Sequence, residues 1–138
     1  MILYRESAEG IGPEHLKGFF AGWPSPPTPE THLEILRGSD HVVLAVDDDS
    51  GGVVGFVTAI SDGVLAAYLP LLEVLPGHRG RGIGRELLER MLARLGDLYM
   101  VDLVCDDSIK SFYESFGMKA ASAMVVRRFE RQSGREAP

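Results

Sequence analysis

Between residues 76 and 85 the chain reads "PGHRGRGIGR", with glycine at 80, 82 and 84 and arginine at 79, 81 and 85. These residue types at this spacing suit anion binding. Glycines leave the backbone bare, so that its N–H groups can close on a ligand, and the arginines add mobile positive charge around the same point. A long amphipathic pattern follows directly. The N-terminus of a helix presents unpaired N–H groups and the positive end of the helix dipole. A ligand carrying several phosphates fits such a loop better than a single carboxylate does. Glycines alone could mark a tight turn, but their combination with the charges and the helix favours the anion.

Other chemistries find less support. Cys105 is the only cysteine of 138 residues, which excludes an intramolecular disulfide and a multi-cysteine zinc site. Without an accompanying His or Asn pattern it reads as small apolar filler at a strand end. His15, His32, His41 and His78 lack metal-ligand spacing, and no metal is expected. The net charge of −6 argues against a nucleic-acid partner, since phosphate contacts need a basic surface. The basic run at 78–85 opposes that global charge. The N-terminus has no basic leader-like stretch, and the apolar run "VLAAYLPLL" is far shorter than the ~18 residues of a membrane span. A cytoplasmic, reducing location is the default expectation. Length and composition predict one domain over residues 1–138, with about 130–138 as a frayed tail.

The elements that must position the loop follow from periodicity. "ILYRE" predicts a first strand. Gly12 and Pro13 introduce a predicted helix with Leu16, Phe19, Phe20 and Trp23 on one face, ended by "PSPPTP". Thr28 as N-cap and Pro29 at the first helical position start a second helix, with Leu33 and Leu36 inward and Gly38 as its stop. "HVVLAV", "VVGFVTAI" and "VLAAYLPLLEVL" predict three successive antiparallel strands joined by acidic and glycine-rich turns. Pro70 lacks an N–H and should open the third of these strands. Residues 83–95 predict a helix whose stripe is Ile83, Leu87, Leu88, Met91, Leu92 and Leu95, stopped by Gly96. "LYMVDLVC" is a further strand, parallel to the third because a helix connects them. "DDSIKSFYESFG" predicts a short helix with Ile109, Phe112 and Phe116 buried and Tyr113 one step off that face. "ASAMVVRRFE" predicts a terminal strand.

Three phosphate loops can be compared with 79–84. A Walker A loop is excluded, because no lysine followed by Ser or Thr stands in this loop. A dinucleotide fingerprint starting at Gly82 would place Leu87 where its third glycine belongs, although Asp102 lies at a suitable distance for a ribose contact. The third pattern, R-x-x-G-x-G, is met by Arg79, Gly82 and Gly84. With it, "VLPGHRGRGIGRELL" resembles the acetyl-CoA signature of the GNAT superfamily of N-acetyltransferases. "FYESFGM", residues 112–118, is similar to a second segment of that superfamily, with Met118 in place of an aromatic. Element order agrees over nearly the whole chain, although only residues 72–118 carry specific motifs.

The resemblance implies a mixed α/β fold with a central, mostly antiparallel sheet, one splayed parallel strand pair and flanking helices. It implies acetyl-CoA as cosubstrate, its pyrophosphate on Arg79, Gly80, Arg81, Gly82, Ile83 and Gly84 and its pantetheine arm against the backbone of Leu72 and Val74. The Val74 N–H would stabilise the thioester oxyanion. Tyr113 is the candidate general acid, since a phenol with a reference pKa near ~10 stays protonated at neutral pH and can donate to a departing thiolate. Glu73 and Tyr68 are the candidate bases, with Asp102 and ordered water as alternatives. Where many family members have Asn near the start of the last helix, with Ala four residues on, this chain has "DDSIKS", so contacts there are not carried over. The acceptor would be an amine of a small molecule or a peptide, transferred to directly without a covalent enzyme intermediate. A non-catalytic acyl-CoA sensor on the same fold is the alternative, and a homodimer stays open.

Overall fold

The computed structural model describes residues 1–135. Its elements are β1 (Ile2–Arg5), α1 (Pro29–Gly38), β2 (His41–Asp47), β3 (Val53–Ser61), β4 (Ala66–Tyr68), β5 (Leu72–Val74), α2 (Ile83–Leu95), β6 (Met100–Asp102) and α3 (Lys110–Glu114). The six strands form one mixed sheet in the order β1-β2-β3-β4-β6, with β5 also paired to β3. All pairs are antiparallel except β4 and β6, whose parallel register sets Ala67 beside Val101.

β2 and β3 are apolar without alternation because both faces of the sheet are covered. Val43, Ala45, Val57 and Ala59 pack under α2, against Ile83, Leu87, Leu88 and Met91. Val42, Leu44, Val46 and Phe56 pack on the other face, against Leu16, Phe19, Phe20, Leu33 and Leu36. α2 lies flush on the sheet at Gly55, where a Cβ would stand 3.0 Å from the Leu87 side chain. The helix begins and ends on glycines with positive φ, Gly82 and Gly96, and buries the predicted stripe except Leu92, which is half-buried. Thr28 caps α1 by accepting the Thr31 N–H, with Pro29 at the first helical position.

Six expectations are corrected. The first helix is absent: only a 3₁₀ turn, Pro13–His15, forms. Gly18, Phe20 and Gly22 have φ of 92°, 61° and 83°, which no right-handed helix accommodates. Leu16, Phe19 and Phe20 are buried nonetheless, so the apolar spacing marked a core-lining loop, while Trp23 is exposed. The third long strand is two short ones, β4 and β5, interrupted at Pro70. β6 is correspondingly shorter than "LYMVDLVC", because its only partner among the described residues, β4, ends there.

The last helix is a 3₁₀ turn, Asp107–Ile109, followed by the brief α3, with Ile109 exposed while Phe112, Tyr113 and Phe116 pack on the core. The terminal strand does not form. Residues 118–128 carry no helix or strand, because strand-forming residues need a sheet edge to pair with and none is bonded to them. Residues of the expected tail are docked: Gln132 accepts the Ser25 N–H at 2.8 Å and Arg135 pairs with Glu34. The rest of that expectation, 136–138, lies outside the described residues. No helix among the described residues is long and apolar enough to cross a membrane.

His32 sits at the centre of the α1 face, 1% exposed, ringed by Phe19, Phe20 and Phe56 at 5.2, 5.0 and 4.4 Å between ring centroids. Neither ring nitrogen has a hydrogen-bond partner among the described residues. Burial lowers its pKa to about 4, so the folded protein holds it neutral. The unfolded chain takes up the proton first as pH falls, so this contribution to stability is complete above about 6.5 and is lost progressively towards about 4. Denaturant unfolding across that range is expected to show a loss on the order of 3 kcal/mol, and His32→Leu is expected to flatten the profile.

Candidate functional site

Pro70 divides the sheet. The last bond of the parallel pair is donated by the Leu69 N–H to the Asp102 carbonyl at 2.9 Å, and the next residue has no N–H to continue it. Beyond that point the chain pairs with β3 alone. In the β3–β5 ladder, Leu75 donates to Val54 at 2.8 Å and Thr58 donates to Leu71 at 3.0 Å. Hydrogen-bonded pairs alternate along an antiparallel ladder, so Leu71, Glu73 and Leu75 bond to β3, while the N–H and C=O of Leu72 and Val74 face the other way. They face the gap that separates β5 from the chain after β6. This gap is a cleft of about 490 Å³ with Leu69, Leu72, Leu103, Cys105, Tyr113 and Arg127 among its walls.

The Gly/Arg loop lies at the end of β5. Gly80 and Gly82 have φ of 78° and 81°, and a Cβ on either would meet nothing within 4 Å. Gly82 is the N-cap of α2 and offers no side-chain acceptor, so the first-turn N–H groups of a thirteen-residue helix have no cap of the usual kind. An open, uncapped helix start flanked by arginines fits a phosphate-bearing group.

The three arginines are deployed differently. Arg79 turns back and donates through Nε to the Val74 carbonyl at 3.0 Å. That leaves the Val74 N–H as the group this residue offers to the gap. Arg85 donates to the Ser115 hydroxyl at 2.6 Å and stacks 4.5 Å from the Phe116 ring centroid, so it braces α3 against α2 instead of adding a mobile charge. Arg81 is exposed on the loop.

Tyr113 is half-buried and lines the cleft, its ring edge-on to Phe112 at 5.0 Å. Burial raises its pKa above the ordinary phenol value, and the charge Cys105 would carry as a thiolate raises it further. The phenol is therefore protonated throughout the neutral range. Cys105 is half-buried in the cleft wall and is not the core filler its sequence position suggested.

Glu73 is also on the cleft, but its carboxylate is engaged. Oε1 accepts the Phe20 N–H at 2.9 Å and Oε2 accepts the Ala21 N–H at 3.3 Å. Those two amides belong to the turn that contains Phe20 at φ 61°, a left-handed conformation few L-residues adopt. Tyr68, exposed on β4 beside Asp102, is not brought to the cleft walls. Sequence reasoning missed Arg127 and Trp23, which both line the cleft, and the Glu73 clamp. Nothing local marks a residue that meets its partner 53 positions away.

Comparison with known proteins defines the class. Residues 38–119 match the family described as acetyltransferase (GNAT) domain, more than half of the chain. The chain belongs to the GNAT family of acetyltransferases. The crystal structure of a candidate acetyltransferase from Deinococcus radiodurans R1 superposes with a TM-score of 0.93 at 54% identity, covering 96% of this chain and 92% of that one. A GNAT-family acetyltransferase of Streptococcus pneumoniae TIGR4 follows the same fold with a TM-score of 0.70 and 26% identity, over 93% and 99% of the two chains. Histone acetyltransferase TAP1 of Glycine max is 26% identical over 109 residues, 72% of this chain and 47% of that protein. The chain spans less than half the length of the curated relatives it matches.

The Glu73 clamp makes a measurable demand. Removing a charged acceptor from two backbone donors costs about 2 kcal/mol, so Glu73→Ala is expected to lower the urea midpoint accordingly. Glu73→Gln, which keeps one good acceptor, should recover about half of the loss.

Proposed function

We propose that the chain is an acetyl-CoA-dependent N-acetyltransferase that passes the acetyl group directly to a primary amine of a small molecule or a peptide. One observation carries the reading. The bare, uncapped start of α2 stands beside β5, where a Cβ on Gly84 would lie 3.8 Å from the Val74 side chain, and the backbone edge of Val74 and Leu72 that faces away from β3 runs on to the cleft that Leu72 lines. An elongated ligand with phosphates at one end and amides along its arm has complementary groups for both.

In this reading the amides of residues 79–84 hold the pyrophosphate, with Arg81 adding charge. Leu72 and Val74 pair with the arm as a further strand would, and Arg79 fixes the Val74 peptide by holding its carbonyl. The Val74 N–H is thereby aimed into the cleft, where it can donate to a carbonyl oxygen that gains negative charge on attack. Tyr113, kept protonated by its surroundings, gives its proton to the departing sulfur. Glu73, with both oxygens committed, positions the 20–21 turn that leads to Trp23 on the cleft wall, and the amine's proton leaves through water. A cytoplasmic site of action accords with this chemistry.

Two experiments test the reading. Acetyl-CoA or CoA at ~100 times its dissociation constant is expected to stabilise the protein by roughly 2.7 kcal/mol in a thermal-shift assay, with no effect of NAD. Gly82→Val should abolish that shift, because the branched side chain would enter the ligand's space, while the positive φ costs the fold only about 1–2 kcal/mol. A response to NAD with none to CoA would overturn the assignment.

The second experiment separates an enzyme from a binding protein. Tyr113→Phe keeps the ring and removes the phenol, so CoA affinity should hold while turnover with an accepted amine falls by ~10² to 10⁴. The loss should shrink with an activated aryl thioester, whose leaving group needs no proton. Unchanged turnover would return Tyr113 to a packing role.

A further inference from the structure

Arg127 stands in the wall of the cleft, and the acetyl transfer outlined above gives it no task. The residue is exposed. Among the described residues its guanidinium makes one hydrogen bond, from Nη1 to the neighbouring Val126 carbonyl at 3.3 Å, and no ion pair. Nε and Nη2 are left over. Their N–H bonds run parallel on one side of the guanidinium plane, the fork that receives both oxygens of a carboxylate. The other charges of the wall are engaged or belong elsewhere. Arg79 is bound to the Val74 carbonyl, and Glu73 to the amides of Phe20 and Ala21. Asp106 precedes the 3₁₀ turn that leads into α3, and so belongs to the Tyr113 side.

Arg127 shares the other side with Trp23. Glu73 holds the turn at 20–21 and Gln132 holds the Ser25 N–H at 2.8 Å, so the turn 20–25 is tied to β5 at one end and to the C-terminal segment at the other. Trp23 lies in the middle of that turn and lines the cleft. Its ring rests 4.9 Å from that of Phe20 and the residue is still 38% exposed. An indole fixed from behind and open in front is a platform for an aromatic or apolar group. The wall therefore pairs a carboxylate fork with an aromatic platform. A polyamine would set positive charge against Arg127, which costs affinity.

We propose that the acceptor is a free amino acid with an aromatic or apolar side chain, its carboxylate held by Arg127 and its side chain by Trp23. This rests on the acetyltransferase reading and narrows it. A peptide N-terminus, whose first carboxyl group is an amide, lacks the group that Arg127 takes. In the transfer the C–N bond forms as the C–S bond breaks. One amine proton passes to water, the sulfur takes the Tyr113 proton, and solvent reprotonates the phenol. The carboxylate is unchanged throughout, so Arg127 is a specificity-determining residue whose loss belongs in KM.

The test compares L-phenylalanine, L-phenylalanine amide and phenethylamine as acceptors for the wild type and Arg127→Ala. For phenylalanine, kcat/KM is expected to fall roughly 10- to 100-fold in the variant, mainly through KM, while the values for the other two amines change little. Arg127→Lys, which keeps the charge and loses the fork, should restore part of the loss. The amines differ in basicity, so the change on substitution decides and not the absolute rate. Should Arg127→Ala melt lower, the comparison among three amines on one protein still separates carboxylate recognition from general damage. An equal change for all three, no change for phenylalanine, or turnover of the other two alone would sink the proposal. Where none of the three is turned over, calorimetric titration of the CoA-saturated protein with N-acetyl-L-phenylalanine decides. Binding that Arg127→Ala weakens supports the proposal, and absent or indifferent binding overturns it. The thermal shift with CoA tells the two levels apart. A shift together with any of these negative outcomes leaves an acetyltransferase with a different acceptor, whereas no shift removes both.

Discussion

The hydrogen that Pro70 lacks is the constraint on which the rest of the molecule depends. A continuous strand from 66 to 74 would be paired on both sides and would leave no main-chain group for a ligand. With no N–H at 70, the ladder to β6 ends at Leu69, and the chain keeps only its bond to β3. The consequences propagate in both directions. β6 is cut to three residues, and the cleft opens where its continuation would have paired. α2, resting on Gly55 of β3, sets its uncapped end beside β5, where a Cβ on Gly84 would lie 3.8 Å from the Val74 side chain.

β5 joins the two sides of the site although it is only three residues long. Its backbone faces the opening through Leu72 and Val74, while the Glu73 side chain holds the turn at Phe20 and Ala21. Each function uses a different part of the strand, and the period of two keeps them apart. Arg79 completes the arrangement by holding the Val74 carbonyl from the loop that follows. The free backbone edge and the held turn are thus referred to one piece of backbone, itself paired to the most deeply buried strand of the sheet.

Features with local causes were legible in the sequence. The α2 stripe, the glycines at 82 and 96, the Thr28 cap and the break at Pro70 each depend on residues within a turn or two of one another, and each stands where the pattern put it. The failures have a different character. Apolar residues at 16, 19 and 20 have helical spacing, but Gly18 and Gly22 at positive φ turn the same residues inward from a loop. "ASAMVVRRFE" has the composition of a strand, and composition cannot supply the neighbouring edge that would make it one. In the site, the loop and Tyr113 could be located by motif. The clamp between Glu73 and residues 20–21, and the turning of Arg79 and Arg85 away from the loop, depend on partners that only the folded chain brings near.

A strand that turns its main chain towards the opening places few demands on the identity of its side chains. At positions 72 and 74 many apolar residues would present the same N–H and C=O groups at the same places, and at 80 and 82 the requirement is the absence of a side chain. Selection for such a surface leaves a faint record in the sequence and a deep one in the backbone. The Streptococcus pneumoniae relative, which keeps the fold at a TM-score of 0.70 with 26% identity, shows how far the two records can separate. Side chains facing the other side of the cleft can then differ without rebuilding the framework that holds the strands apart.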